Sequence, residues 1–218
     1  MIKIALLSIG LLLLSGCSFK SPPNQWQYKS TSAFDSYIKN FLSSNDALAK
    51  NDLNRAVEHA KQSADLTMLS RIYLGECALN ISVGLKDSCE KYNNIADLIN
   101  DKTLDAYYHL ITLNMNSLQL LNLDKEYKDF ASYISTKEFS KADAQISKIS
   151  KPTSKLLCAA LMKENLSSKT RKEMIDLASF YGYKRSVVFW LNEAKKNSKD
   201  ENERNNLSKK ISVLKSKN

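Results

Sequence analysis

The chain has 218 residues, 43% of them hydrophobic, and 32 Lys and Arg against 23 Asp and Glu give it a net charge of +9. It holds only five glycines and three prolines. Turn-rich β domains and Gly-rich nucleotide-binding α/β domains draw heavily on those residues, so both are excluded; the length suits one domain with a real core or an array of helical hairpins.

The chain starts MIKIALLSIGLLLLSGC. Lys3 precedes an apolar run from Ile4 to Leu14, and small residues follow. The run falls well short of the ~20 residues a helix needs to cross a bilayer. A charged start, a short apolar stretch and a small-residue cleavage site describe a secretory signal instead. Leu14-Ser15-Gly16-Cys17 resembles the lipobox of bacterial lipoproteins. The resemblance implies that residues 1–16 are a signal peptide and that the Cys17 thiol receives a diacylglycerol. Cys17 then becomes the N-terminus and carries acyl chains such as palmitate, which anchor the protein to a membrane. An ordinary signal peptide with an incidental Cys is the alternative. Lipoproteins kept in the enterobacterial inner membrane have Asp after the lipidated Cys. Ser18 stands there in this chain, which implies an outer-membrane protein facing the periplasm.

Residues 17–31 form the expected lipidated N-terminus and tether. Ser18 to Thr31 is polar, contains Pro22-Pro23 and lacks helical periodicity. Trp26 and Tyr28 either pack back on the domain or lie at the lipid interface. Residues 32–218 read as one all-α domain with a basic C-terminal helix. Apolar spacing and stop signals place helices at about 32–50, 52–65, 67–82, 87–100, 103–122, 124–135, 137–150, 153–164, 168–182, 183–198 and 200–215. Asp87, Ser88, Asp101 and Ser167-Ser168 offer caps, and Lys151-Pro152 breaks one helix before the next. On the helix expected at 87–100, Cys89, Tyr92, Ile95, Ala96 and Ile99 form a single apolar stripe. Short joints force neighbours antiparallel, so the expected architecture is stacked antiparallel helical hairpins.

Asn51-Asp52-Leu53-Asn54-Arg55-Ala56-Val57-Glu58-His59-Ala60 resembles the turn and second helix of a tetratricopeptide repeat. Leu74-Gly75 followed by Ala78 resembles the first helix of the next unit, and the stretch from Tyr181-Gly182 through Trp190 to Ala194 is a third, weaker echo. Small residues at such crossings let two helix backbones approach closely. The likeness covers about residues 40–100 and, weakly, 168–197, while 103–150 departs from the pattern. A tetratricopeptide-like solenoid and an irregular helical bundle both stay open. The resemblance implies a protein-binding adaptor whose stacked hairpins form a groove for a peptide or helix. Lipoproteins of this design help assemble outer-membrane barrels or pilus secretins, but no motif ties this chain to either machine.

With Cys17 lipidated, Cys77, Cys89 and Cys158 remain. Gly84 sits in a predicted hairpin turn, with Cys77 and Cys89 nearly equidistant from it. An envelope compartment permits oxidation, and a Cys77–Cys89 disulfide is expected, worth about 2–3 kcal/mol; two buried free thiols are the alternative. Such a staple resembles that of the cysteine-bridged helical repeat proteins secreted by some bacteria. Cys158 lies among apolar neighbours and reads as buried and inert.

The only histidines, His59 and His109, have no Cys or His partner at ligand spacing, so no metal site or cofactor is expected. His59 reads as a partly exposed structural residue. No G-x-S-x-G elbow exists, no phosphate cradle exists, and Cys158 has no identifiable His partner. Acid pairs such as Asp124 and Glu126 read as helix-surface charges. No catalytic residues are assigned, and an enzyme is not expected.

Positive charge concentrates late, at Lys195, Lys196, Lys199, Arg204, Lys209, Lys210, Lys215 and Lys217, interrupted by Asp200, Glu201 and Glu203. This is either a solvated helix face or a contact for anionic headgroups, envelope phosphates or an acidic partner. Nucleic acid fits the charge but not the compartment. Aromatic residues cluster at Tyr107-Tyr108, Phe180-Tyr181, Tyr183 and Phe189-Trp190. At helical spacing these are core residues; Tyr107, Tyr108, Tyr183 and Trp190 are candidate partner anchors wherever they reach a surface.

The sequence therefore implies a membrane-anchored periplasmic adaptor or assembly scaffold that binds another envelope protein through its helical surface. One alternative is a lipoprotein that binds a small ligand, an anionic envelope polymer or lipid; another is an enzyme with an unmarked acid pair. An adaptor needs an apolar or aromatic groove, a ligand binder one closed cavity with convergent polar groups, and an enzyme carboxylates gathered in one cleft.

Overall fold

The computed structural model describes residues 24–216. The expected signal peptide, Cys17, Lys217 and residues 17–23 of the expected tether lie outside the described residues. Among those described, there is no strand, and twelve α-helices follow one another. They are α1 (Gln25–Leu42), α2 (Asp46–Ala60), α3 (Thr67–Ser82), α4 (Glu90–Asn93), α5 (Lys102–Ile111), α6 (Ser117–Asn122), α7 (Lys125–Ser135), α8 (Phe139–Ile146), α9 (Pro152–Leu161), α10 (Ser168–Phe180), α11 (Lys184–Asn197) and α12 (Glu201–Lys215). None of them is long and apolar enough to cross a membrane.

Five helices end in the same way. After α1, α3, α5, α7 and α10, one residue enters the left-handed region: Ser44, Gly84, Leu113, Lys137 and Gly182. The next backbone N–H then bonds back five residues, as Asn45 does to the Asn40 carbonyl at 2.8 Å and Glu138 to that of Tyr133 at 2.8 Å. This six-residue closure satisfies the last carbonyls of a helix and reverses the chain. It builds the tight hairpins α1–α2, α7–α8 and α10–α11, whose partners pack closely along their length.

The α1–α2 seam is lined by Ala33, Ala56 and Ala60, all buried, and the Ser30 hydroxyl donates to the Ala56 carbonyl at 2.8 Å. With only alanine and serine side chains at the crossing, the two backbones approach closely. By contrast, α3 is apolar around most of its circumference, burying Leu69, Ile72, Leu74, Cys77 and Leu79. A helix of that kind must be surrounded, and α3 lies against α9, α5, α2 and α1. Its pairing with α9, and a contact between α1 and α11, close the stack across long stretches of chain. At the second contact Arg185 donates to the Phe41 carbonyl at 2.7 Å, lies 4.4 Å from the Phe41 ring centroid and pairs with Asp46. The hairpins are thus stacked into a closed bundle around a central helix, unlike a strict nearest-neighbour array.

Three expected helices are corrected. The first helix starts at Gln25, so residues 25–31 are not tether, and it ends at a joint covering 43–45 rather than near 51. Asn51 and Asp52 therefore lie inside α2 and form no turn. Asp52 is buried, accepting from Arg55 at 2.8 Å and Asn40 at 2.7 Å. The helix expected at 87–100 is replaced by the single turn of α4 and a short 3-10 turn at 96–98, because Cys89 is left-handed, with φ at 55°. The helix expected at 103–122 breaks at 112–116, where Leu113 is left-handed and Asn116 caps α6.

Candidate functional site

The two sulfurs of Cys77 and Cys89 are bonded, and both residues are buried. The bond joins α3 to a loop rather than to a second long helix. Asp87 organises that loop: its carboxylate accepts from the Cys89 backbone N–H at 2.8 Å and from the Asn80 side chain at 2.7 Å. Asp87 also lies with the two cysteines in the one close group of potential metal ligands among the described residues. The sulfurs are spent on each other, so they offer no thiolates. Cys158 is free and buried, and burial pushes its thiol well above the usual range. A thiol held protonated is a poor nucleophile.

A half-open cleft of about 490 Å³ runs between α3 and the N-terminal ends of α5 and α7. Arg71, Asp101, Asp124 and Lys151 line it, with Leu74, Leu104 and Leu123 as apolar wall. Both cations are loosely held: Arg71 lies 3.9 Å from Asp101, and Lys151 lies 3.8 Å from Glu126. Asp101 is occupied by capping α5 through the backbone N–H groups of Thr103 and Leu104. A second cleft of about 230 Å³ shares Gly75, Tyr107, Tyr127 and Lys151 with the first. Gly75 has no side chain because the Phe34 ring occupies that space; a Cβ there would stand 2.4 Å from it. The Tyr127 and Ser154 hydroxyls meet at 2.5 Å. Burial pushes the Tyr127 phenol up to about 12 and that of Tyr107 well up.

Glu126 does not behave as a surface charge. Its carboxylate accepts from the Ser150 hydroxyl at 3.2 Å and the Lys151 backbone N–H at 3.1 Å, tying α7 to the start of α9. Nothing in its spacing from Asp124 announced a partner so far along the chain.

Of the four candidate aromatic anchors, Trp190 is overturned. It is fully buried, edge-on to Phe189 at 4.8 Å, because its face of α11 turns inward against α10. Tyr107 is half-buried beside Tyr127, with ring centroids 5.6 Å apart. Tyr108 is half-buried against Tyr92 at 5.2 Å. Tyr183 is also half-buried; it leans on the α1–α2 core and stacks outward on Tyr181 at 5.4 Å. The ring that stands free is Phe180, 82% exposed and edge-on to Tyr181 at 5.1 Å. Phe180, Tyr181 and Tyr183 thus form a continuous aromatic edge on the α10–α11 turn. Phe180 lies two residues beyond Ala178 in the inward-facing series of α10 (Thr170, Met174, Ala178), about 200° round the helix, and that offset is the available signal.

Lys195, Lys199, Lys209 and Lys210 are exposed and, among the described residues, unpaired. Lys196 pairs with Glu164 at 2.8 Å, which raises the lysine and lowers the glutamate. These four lysines of the basic run are therefore open to solvent, and α12 holds to α11 through Leu207 and Ile211. His59 meets Gln62 at 3.3 Å, and His109 faces Asp105 at 3.5 Å.

Comparison with known proteins finds no matching family, no similar curated protein and no solved structure of similar fold.

Proposed function

We propose that this chain is a lipid-anchored adaptor of the bacterial envelope, held at the outer membrane through Cys17 and binding another envelope protein. The observation that supports this reading is the aromatic edge of Phe180, Tyr181 and Tyr183. Tyr183 is seated on the core, but Phe180, 82% exposed, and Tyr181 beside it keep apolar area in water on a tight turn. Aromatic side chains of this kind supply large contact area on few rotatable bonds and dominate binding at protein interfaces. Exposed Leu118 and Leu121 on α6 add to the apolar surface. Both clefts around Gly75 are open-sided, which suits a side chain or peptide better than an enclosed small molecule.

The test is a cross-linking capture from native membranes, comparing wild type with Phe180→Ala and with Cys17→Ala. A defined set of envelope proteins captured by wild type, and lost in each variant, supports the reading. Equal capture by Phe180→Ala removes the aromatic edge from the interface. A second reading, a small-ligand binder, draws on Arg71 and Lys151 in the larger cleft. It requires that small anionic compounds raise the midpoint of thermal unfolding and that Lys151→Ala abolish the rise.

A further inference from the structure

The aromatic edge and the first turn of α1 lie at opposite ends of one helix, and covalent length limits where the lipid sits. Eight residue steps separate Cys17 from Gln25, so the chain reaches at most about 28 Å between the acylated residue and the start of α1. The N-terminal end of α1 is therefore confined close to the bilayer surface. Two aromatic residues stand on that first turn. Tyr28 is 75% exposed, and Trp26 is part-exposed and joins none of the apolar clusters of the described residues. Exposed Lys29 is beside them, and no acid lies in the first turn of α1. Exposed Lys61 follows the end of α2, which returns to this end of the molecule through the Ser30–Ala56 and Ala33–Ala60 contacts. Trp and Tyr favour the headgroup level of a bilayer, where an amphipathic ring satisfies both phases, and lysines favour anionic headgroups. Glu58 and Asp65 occupy the same stretch of chain, so the ring pair rather than net charge carries the contact.

The other end of α1 is fixed just as firmly. Its 18 residues span about 27 Å, and its last turn is where Arg185 binds the Phe41 carbonyl and Tyr183 packs beside Tyr37, Phe41 and Leu42. We infer that the domain stands on the lipid surface on the N-terminal end of α1, with Trp26 and Tyr28 at the headgroups. The Phe180–Tyr181–Tyr183 edge then points away from the membrane, about one helix length further out. The inference rests on the lipid-anchor reading above, and α1 acts as a spacer that presents the binding edge to the aqueous side.

The chain contains two tryptophans, and Trp190 is fully buried, so the protein carries its own reference. The full acylated protein is reconstituted in phosphatidylethanolamine–phosphatidylglycerol vesicles whose acyl chains are brominated near the headgroup. Trp26 emission is expected to shift to the blue and to be quenched, while a Trp26→Phe variant, reporting Trp190 alone, is not quenched. Phe180→Trp placed in that Trp26→Phe background also stays unquenched. Acylated protein in which Trp26 escapes quenching, or in which the tryptophan at position 180 is quenched, overturns this orientation while leaving the anchor intact. Finding no acyl group on Cys17 by mass spectrometry overturns the anchor and this inference together.

Discussion

Breaking the Cys77–Cys89 bond is the sharpest test of how the fold is held. The two residues are 12 apart in sequence, and closing so short a loop in the unfolded chain corresponds to about 3 kcal/mol of stabilisation. For a domain of this size that converts to a fall in melting temperature of about 6–12 °C. Reducing the wild type and making the Cys77→Ala/Cys89→Ala variant should give falls of similar size, and adding reductant to the variant should do nothing more. Cys89 is also left-handed, with φ at 55°, a conformation that costs a residue with a Cβ about 1 kcal/mol or more. Replacing Ala by Gly at 89 in the double variant should therefore recover about 1 kcal/mol of the loss. Urea or thermal unfolding followed by circular dichroism measures all three effects. Identical midpoints for oxidised and reduced wild type would refute the reasoning.

Gly84→Ala should cost about 2–4 kcal/mol, because a side chain pays the left-handed backbone penalty and overpacks the site: φ is 77° there and the new Cβ would lie 2.3 Å from the Phe189 ring. Trp190→Ala should lose about 3–5 kcal/mol of stability by emptying the core, whereas Phe180→Ala should stay within about 0.5 kcal/mol of wild type in the same urea titrations. The protein should also unfold in alkali. Burial raises the phenols of Tyr92 and Tyr127 to about 12 and lifts those of Tyr37 and Tyr107 as well. The unfolded chain releases these protons near pH ~10 and the folded one does not, so stability is complete below that value and falls as pH rises towards about 12. Tyrosinate absorbance of all ten tyrosines appearing near pH ~10 with the helices intact would contradict the burial of these rings.

The helices that the sequence shows well are those whose ends are marked by side chains. Pro152 starts α9, Ser167 caps α10, Gly182 closes it, and Asp200 caps α12; each boundary falls within a residue or two of its expected place. The ends that the sequence does not mark carry the same closure without the same residue. Ser44 and Leu113 adopt the left-handed conformation that glycine normally supplies. With no glycine to read, the sequence pattern runs α1 on into α2 and α5 on into α6. The tetratricopeptide likeness at Asn51–Ala60 inherited that error: Ala56 and Ala60 do lie at a close helix crossing, but the turn precedes them by more than a helical turn.

The cysteine pair was legible because both thiols lie near Gly84, which does reverse the chain. Its setting was not, since the loop after α3 is shaped by Asp87 and by the left-handed Cys89 rather than by a second amphipathic helix. The aromatic edge was half legible. Composition located the cluster, but only the direction in which α10 and α11 face separates buried Trp190 from exposed Phe180. Long-range partners such as α3 with α9, or Glu126 with Lys151, depend on how the hairpins close on one another, and one chain's periodicity carries no record of that.

The adaptor reading is tested most directly by a photo-activatable amino acid placed at Phe180 and, for comparison, at the exposed Lys172 on the same helix, in cells with and without Cys17→Ala. The account predicts one or a few discrete adducts with envelope proteins from position 180, none from position 172, and loss of the adducts when the anchor is removed. The same adducts from both positions, or no protein adduct from position 180 in acylated protein at the membrane, would contradict it.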